Sequence, residues 1–399
     1  MLMKQNSVDI IVAGHICLDI IPNIGVLKDG FHDLLVPGKL IEVGPAITST
    51  GGAVSNTGLA LHRLGVKTGF MGKIGNDVFG QAILGLLRAY HQDIADGMIV
   101  SHEESSSYTL VMSPPGIDRV FLHCTGANDT FVASDLKLNL IEEATCFHFG
   151  YPPLMKQMYI DGGEQLRQIF AQVKRLGLTT SLDLAKPDPE SLAGQADWRE
   201  ILTRTLPFVD VFMPSLEEIL YMLDRERYDR MCHEFGSSEM IAHIDSTVLM
   251  ELSTQLLDMG TAIVGIKLGE HGLYVRTTHD FQRLQAIGSY PWINESYVAK
   301  QWLAPCFEVT VIGTTGAGDC TIAGFLTGLI RQQSIEDCIT AAVAVGAYNV
   351  ERADAVSGIP AWDDVQLRIR SQWQRKPCTL SLRGWTWNEH SGLFESPLV

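Results

Sequence analysis

The chain has 399 residues, 46% of them hydrophobic and 19% charged, which is globular composition with ample material for a core. Its 46 acids against 30 bases give a net charge of −16, and no basic stripe interrupts them, which argues against a nucleic-acid partner. Eight cysteines without a C-x-x-C pair or a tight Cys/His cluster in the sequence read as free thiols in a reducing compartment. No apolar run approaches the roughly 20 residues that span a bilayer, and the first residues lack the charged and apolar regions of a leader. A cytoplasmic protein with no membrane partner is expected.

Taken in chain order, Val8 to Gly14 is predicted as a buried strand, with Asp19 just beyond its end. Residues 23–50 are rich in Gly, Pro and β-branched side chains and read as turns and short strands. Ser55 to Leu64 is predicted helical, Thr68 to Gly72 a strand, and Phe79 to Tyr90 a helix. Tyr108–Met112 and Arg119–His123 flank Ser113-Pro114-Pro115-Gly116 and read as a hairpin. From about residue 144 the pattern alternates: strand from Thr145, helix from Gln165, strands from Thr179 and Val209, helix from Leu216, strand from Ala262, then a hairpin at Gly272. The polar stretch 224–246 predicts an exposed helix. Such alternation argues a mostly parallel sheet with helices on both faces, which binds ligands beyond the carboxyl ends of its strands. Asp19, Asp183, Pro214, Lys267 and the glycine turn described next all fall at such ends.

That turn is Gly313-Thr314-Thr315-Gly316-Ala317-Gly318-Asp319. A β-type stretch, Phe307–Ile312, leads in, and a helical pattern from Thr321 leads out. Glycines before a helix leave backbone N–H groups open to an anion. A carboxylate at Asp319 would repel a resting phosphate unless it takes a proton from a hydroxyl that attacks that phosphate. The segment is therefore either a capped helix start or the centre of phosphoryl transfer to an alcohol. A second such segment, Gly51-Gly52-Ala53-Val54-Ser55-Asn56, is either a helix start or a close backbone approach to a polyol, with the Asn56 amide one turn in.

Together the two segments resemble the signatures of the ribokinase-like (PfkB) carbohydrate kinases, G-G-x-x-x-N followed by D-T-x-G-A-G-D. Their order and separation match, and the resemblance runs from about Val8 to about Val365. Pro214-Ser215-Leu216-Glu217-Glu218 is similar to the family's P-N-x-x-E. Lys267-Leu268-Gly269-Glu270-His271-Gly272 is similar to its nucleotide loop, and Gly126-Ala127-Asn128 to a G-A-N beside the lid. The resemblance implies a ribokinase-like α/β fold: one kinase domain over 1–375, a small β lid drawn from about 28–50 and 96–125, and a C-terminal extension over 376–399.

It also implies an ATP-dependent, Mg²⁺-requiring kinase acting on a sugar-like substrate. Asp319 would be the base, and Gly316, Ala317 and Gly318 the anion hole. Asp19, Gly51, Gly52, Asn56 and Asn128 would bind substrate. Ser215, Lys267, Gly269, Gly272 and Thr314 would bind nucleotide, and Glu218 would hold the metal through water. A homodimer through the lid is implied as well. Two departures stand out: Gly313 replaces the Asp that helps hold a monovalent cation in activated members, which puts potassium activation in doubt, and Ser215 replaces the Asn of P-N-x-x-E. The alternatives are a nucleoside or vitamin-precursor kinase of the same fold, or a non-catalytic sugar-binding relative. His123 and His271 read as ordinary polar residues, since no partner histidine stands at ligand spacing.

Overall fold

A computed structural model describes residues 8–396, apart from 28, 29, 35, 118, 238, 289, 291 and 292. Positions 28, 29 and 35 of the predicted lid segment, 1–7 of the predicted domain and 397–399 of the tail therefore lie outside the described residues.

Among the described residues ten strands form one sheet, in the order Thr68–Met71, Ile10–Gly14, Cys146–Gly150, Thr179–Leu182, Val211–Phe212, Ile263–Lys267, Leu273–Thr277, Gln301–Ala304, Leu393–Glu395 and Thr386–Asn388. The first six are parallel. The last four continue it antiparallel. Strands covered on both faces read as continuous apolar runs, and Ile10–Gly14 is buried throughout. Its side chains alternate: Ile11 and Ala13 join one core, Ile10 and Val12 the other. Phe147 and Phe149 sit in the first core against Phe170, with ring centroids 6.1 and 6.2 Å away.

A second sheet of four strands runs Gly44–Gly51, Cys17–Asn23, Tyr108–Met112, Val120–Cys124. Its outer pairs are antiparallel and its central pair is parallel. Cys17–Asn23 went unpredicted, because the break at Gly14, where φ is +120°, hides the restart of the chain as a new strand. Ile16 and Leu18 anchor this small sheet on a third core with Val54, Phe70 and Ile74.

Three segments differ from or extend the expectations. Phe307–Ile312 is not a strand: Phe307 makes one isolated bridge to Arg375, and Val311 and Ile312 are 53% and 61% exposed. Its β-branched residues cannot pair with the strand that precedes them, since Leu273–Thr277 and Leu393–Glu395 already flank Gln301–Ala304. The polar stretch forms the helix Arg225–Phe235, with Tyr228 its buried residue. The tail after Lys376 supplies the last two strands at one edge of the large sheet, and Trp385 packs on Tyr274 at 6.1 Å between ring centroids.

Candidate active site

The helix Ala317–Ile330 begins at Gly316, whose φ of +74° is a left-handed conformation that costs glycine little. A Cβ there would meet Ala355 Cβ at 2.8 Å, so the turn is also sterically closed to larger residues. The Ala317 N–H donates to the Thr314 carbonyl at 3.2 Å. Among the described residues no acceptor engages the N–H of Gly316 or Gly318. Two of the three predicted anion-hole amides are therefore open, and the third is held in the turn.

Asp319 lies 2% exposed in the first turn of that helix. Its carboxylate accepts from Tyr151 Oη at 2.7 Å, Asn56 Nδ2 at 3.0 Å and Thr57 Oγ1 at 3.2 Å. Burial pushes its pKa up, and these donors with the Lys267 ammonium pull it back only in part. Asn56 and Thr57 come from the helix Ala53–Arg63, opened by Gly52 at φ +86°. A Cβ on Gly52 would strike His15 Nδ1 at 2.5 Å, and one on Gly51 would strike Asp19 Oδ2 at 2.3 Å. Gly51 thus lets the two lid strands close around Asp19, and Gly52 lets the helix start press against His15. Asp19 lies on the lid strand Cys17–Asn23, half-buried, paired in register with Ser49 and Thr109; burial raises its pKa.

Tyr151 and Thr57 were not singled out from sequence. Tyr151 follows the strand Cys146–Gly150 at φ +65°, a conformation uncommon and strained for a bulky side chain. Its signal was available: an aromatic at the carboxyl end of a parallel strand, where such folds bind ligands. Asn128 has a different task from the one expected. It is fully buried, and its amide is spent on both backbone groups of Ile16 (2.8 and 3.2 Å) and on the Thr125 carbonyl (3.1 Å). It fixes the junction of body and lid rather than facing a substrate.

Lys267 ends the strand Ile263–Lys267, with its Nζ 2.6 Å from Asp183 Oδ1. Burial alone would lower its pKa; Asp183, Glu218 and Asp319 outweigh it and leave the ammonium raised. Burial raises Asp183 above the usual carboxylate range, and the Lys267 ammonium 2.6 Å away opposes that shift only in part. A Cβ on Gly318 would stand 3.4 Å from Lys267 Nζ, so the ammonium lies against the glycine turn. Ser215 caps the helix Leu216–Leu223: its hydroxyl takes the Glu218 N–H at 3.3 Å, and Glu218 returns a carboxylate to the Ser215 N–H at 2.6 Å. On the far side of the turn is a cavity of about 480 Å³, lined by Lys267, Gly269, Gly272, Thr314, Ala317 and Gly318. Its apolar walls are Phe307, Val309, Val311, Val343, Ala347 and Val350. The size and lining suit a small-molecule ligand with one charged end.

The helix start thus separates a roomy, largely apolar cavity from a polar corner built of Asp19, Asn56 and Asp319. A model of the pfkB family carbohydrate kinases matches residues 10–362. The chain belongs to that family. Its relatives are distant in sequence. It is 24% identical over 376 residues to a probable fructokinase-7 of Arabidopsis thaliana, covering 91% of this chain and 93% of the relative. Its fold matches that of an Arabidopsis thaliana ribokinase complexed with ribose and ATP, with TM-score 0.64 at 18% identity, covering 90% of this chain and 98% of the other. It also matches a putative ribokinase II from E. coli in complex with ATP and Mg²⁺, with TM-score 0.64 at 20% identity, covering 91% and 99%.

As a pfkB carbohydrate kinase, the protein acts on a hydroxyl group and carries the family's small sheet. Arg119, just before that sheet's strand Val120–Cys124, donates to the Thr315 hydroxyl in the glycine turn, so the edge of the lid touches the turn. The oxygens of Asp183 and Glu218 form a hard donor set, and with Asp319 they outnumber the single Lys267 ammonium, so a Mg²⁺ ion fits here. At the position of the Asp that helps hold a monovalent cation in activated members, this chain has Gly313. Gly313 offers no side-chain oxygen, and a Cβ there would stand 2.9 Å from the Arg352 carbonyl oxygen and 3.0 Å from Ala353 Cα.

Proposed function

We propose that this sugar kinase transfers the γ-phosphoryl group of ATP to a hydroxyl of a sugar or sugar derivative, with Asp319 as general base. The observation that carries the reading is the setting of Asp319. It is buried at a helix start, beside two open amides, between the 480 Å³ cavity and the Asp19–Asn56 corner. ATP would occupy the cavity, its base among Val343, Ala347 and Val350, its phosphates toward Lys267 and the glycine turn. The substrate would lie against Asp19, Gly51, Gly52 and Asn56. Its attacking hydroxyl would give its proton to Asp319. The Gly316 and Gly318 amides would accept the charge of the moving phosphoryl group, an arrangement that costs no reorganisation at the moment of reaction.

Magnesium, held through water by Glu218 near Asp183, would supply neutralising charge on the phosphates. The lid would exclude water, which otherwise competes for the phosphoryl group. Eight cysteines, none of them disulfide-bonded, agree with a cytoplasmic location. The lid's exposed Ile47, Phe121 and Leu122, at 66%, 54% and 51%, support a homodimer through this sheet. Sedimentation at micromolar concentration checks this, and a Phe121→Asp variant no more monomeric than the wild type removes the lid from the interface.

The test of the chemistry is ADP release from ATP and Mg²⁺ with a panel of sugars and nucleosides. Asp319→Asn is expected to lose about 10²–10⁴ in turnover on the active sugar, with that sugar still bound in calorimetry. An undiminished Asp319→Asn rate would remove the base, and turnover confined to nucleosides would replace the acceptor class.

A further inference from the structure

A group of ligand-type side chains outside the phosphoryl-transfer chemistry sits where the lid leaves the body. His15 follows the strand Ile10–Gly14, Cys17 opens the lid strand Cys17–Asn23, and His123 comes from the lid strand Val120–Cys124. One ring nitrogen of each histidine and the Cys17 sulfur all lie within 4.8 Å of one another. The two Nε2 atoms are 3.3 Å apart. Two nitrogens bound tetrahedrally to one zinc ion at about 2.0–2.1 Å stand about 3.3 Å apart, so this spacing is the one a shared ion would impose.

We propose that His15, Cys17 and His123 bind one borderline-soft divalent transition-metal ion, Zn²⁺ by preference, which ties the lid sheet to the main body. Two imidazoles and a thiolate select such an ion over Mg²⁺ or Ca²⁺, which prefer oxygen.

Independent features support the site. The second ring nitrogen of His123 is 3.0 Å from Thr109 Oγ1, the outer contact that orients a metal-bound histidine. Buried His15 packs under Gly52, and its Nδ1 has no hydrogen-bond partner among the described residues, so no protein group competes to turn the ring away. Asp19 Oδ1 is 3.4 Å from the Cys17 sulfur. Three protein ligands leave the fourth position of a tetrahedral ion to water. Sequence spacing concealed this site because His123 lies 108 residues from His15, and the tertiary fold closes that gap.

The experiment uses the full-length protein, stripped with chelator and free of ATP and sugar, so its outcome does not depend on the kinase reading. Co²⁺ is titrated by visible absorption and Zn²⁺ by calorimetry. The expected result is one equivalent bound, a tetrahedral d–d spectrum with a thiolate-to-cobalt charge-transfer band, and displacement of Co²⁺ by Zn²⁺ but not by excess Mg²⁺. Cys17→Ser should abolish the charge-transfer band. His123→Ala, on the exposed strand and so the gentler substitution for folding, should weaken binding at least about 100-fold. Circular dichroism confirms that each variant is folded. No stoichiometric binding to the wild type, or a cobalt spectrum unchanged by Cys17→Ser and His123→Ala, overturns the proposal.

Discussion

The carboxylate of Asp319 is raised in pKa by burial, and as the base proposed above it must still be ionised to work. Tyr151, Asn56 and Thr57 supply three donors that favour the ionised form, Tyr151 by the shortest contact at 2.7 Å. Removing one donor should therefore change the pH at which the enzyme works. In Tyr151→Phe the carboxylate loses that support and its pKa rises further. The acid limb of kcat/KM against pH should move to higher pH, with a loss at neutral pH of about 10-fold or more, the size of a hydrogen bond to a charged group. A Tyr151→Phe profile superimposable on the wild type would reduce Tyr151 to packing. The raised pKa of Asp319 itself sets the sign for the wild type: activity falls as pH drops through a value above that of a solvated aspartate.

At the scale of elements, the helix carrying Asp319 is positioned by its neighbour Ile335–Val350. The two approach closely because Gly324 and Gly328 present no side chain. A Cβ on Gly324 would stand 2.6 Å from the Ala341 carbonyl oxygen, and one on Gly328 3.0 Å from Cys338 Cα. These obstacles are backbone, so the helices must separate to admit a methyl group. Gly324→Ala is expected to destabilise by about 1–3 kcal/mol, the range for overpacking, and to lower turnover by displacing Asp319. Gly85→Ala on the exposed side of Val78–Arg88 meets nothing within 4 Å and should instead stabilise by about 0.5–1 kcal/mol. Thermal melts of the pair check this; equal shifts would sink the close-packing argument.

For the whole molecule, acid should be a specific enemy. His148 lies in the middle of the large sheet, fully buried, bound through Nδ1 to Ser181 at 3.0 Å, and held at a pKa of about 3 by burial and then by Lys267. Unfolded, the same ring takes a proton near pH 6.5. The unfolded chain therefore binds the extra proton as pH falls from about 6.5 toward 3. Stability drops through that window by about 1.4 kcal/mol per pH unit from this one group. His148→Gln should lose less than the wild type between pH 7 and pH 5, read as the change in urea midpoint. An equal loss in both proteins would place the acid sensitivity elsewhere.

Much of this architecture is legible in the chain because it depends on local order. Alternating strand and helix patterns, helix starts at Gly52 and Gly316, and Asp319 in a first turn are fixed by residues a few positions apart. Where local preference met a tertiary limit it failed: Phe307–Ile312 is β-branched but follows a strand already flanked on both sides, and Cys17–Asn23 pairs despite the break that precedes it. The site's working contacts were decided by the fold alone. Tyr151 reaches Asp319 across 168 residues, Lys267 reaches Asp183 across 84, and Asn128 turns inward to Ile16 across 112. Sequence sets which residues carry chemistry and which backbone turns can approach a phosphate. Which of those residues meet is set by strand order and register, and no local pattern encodes an order that only the closed sheet and its lid enforce.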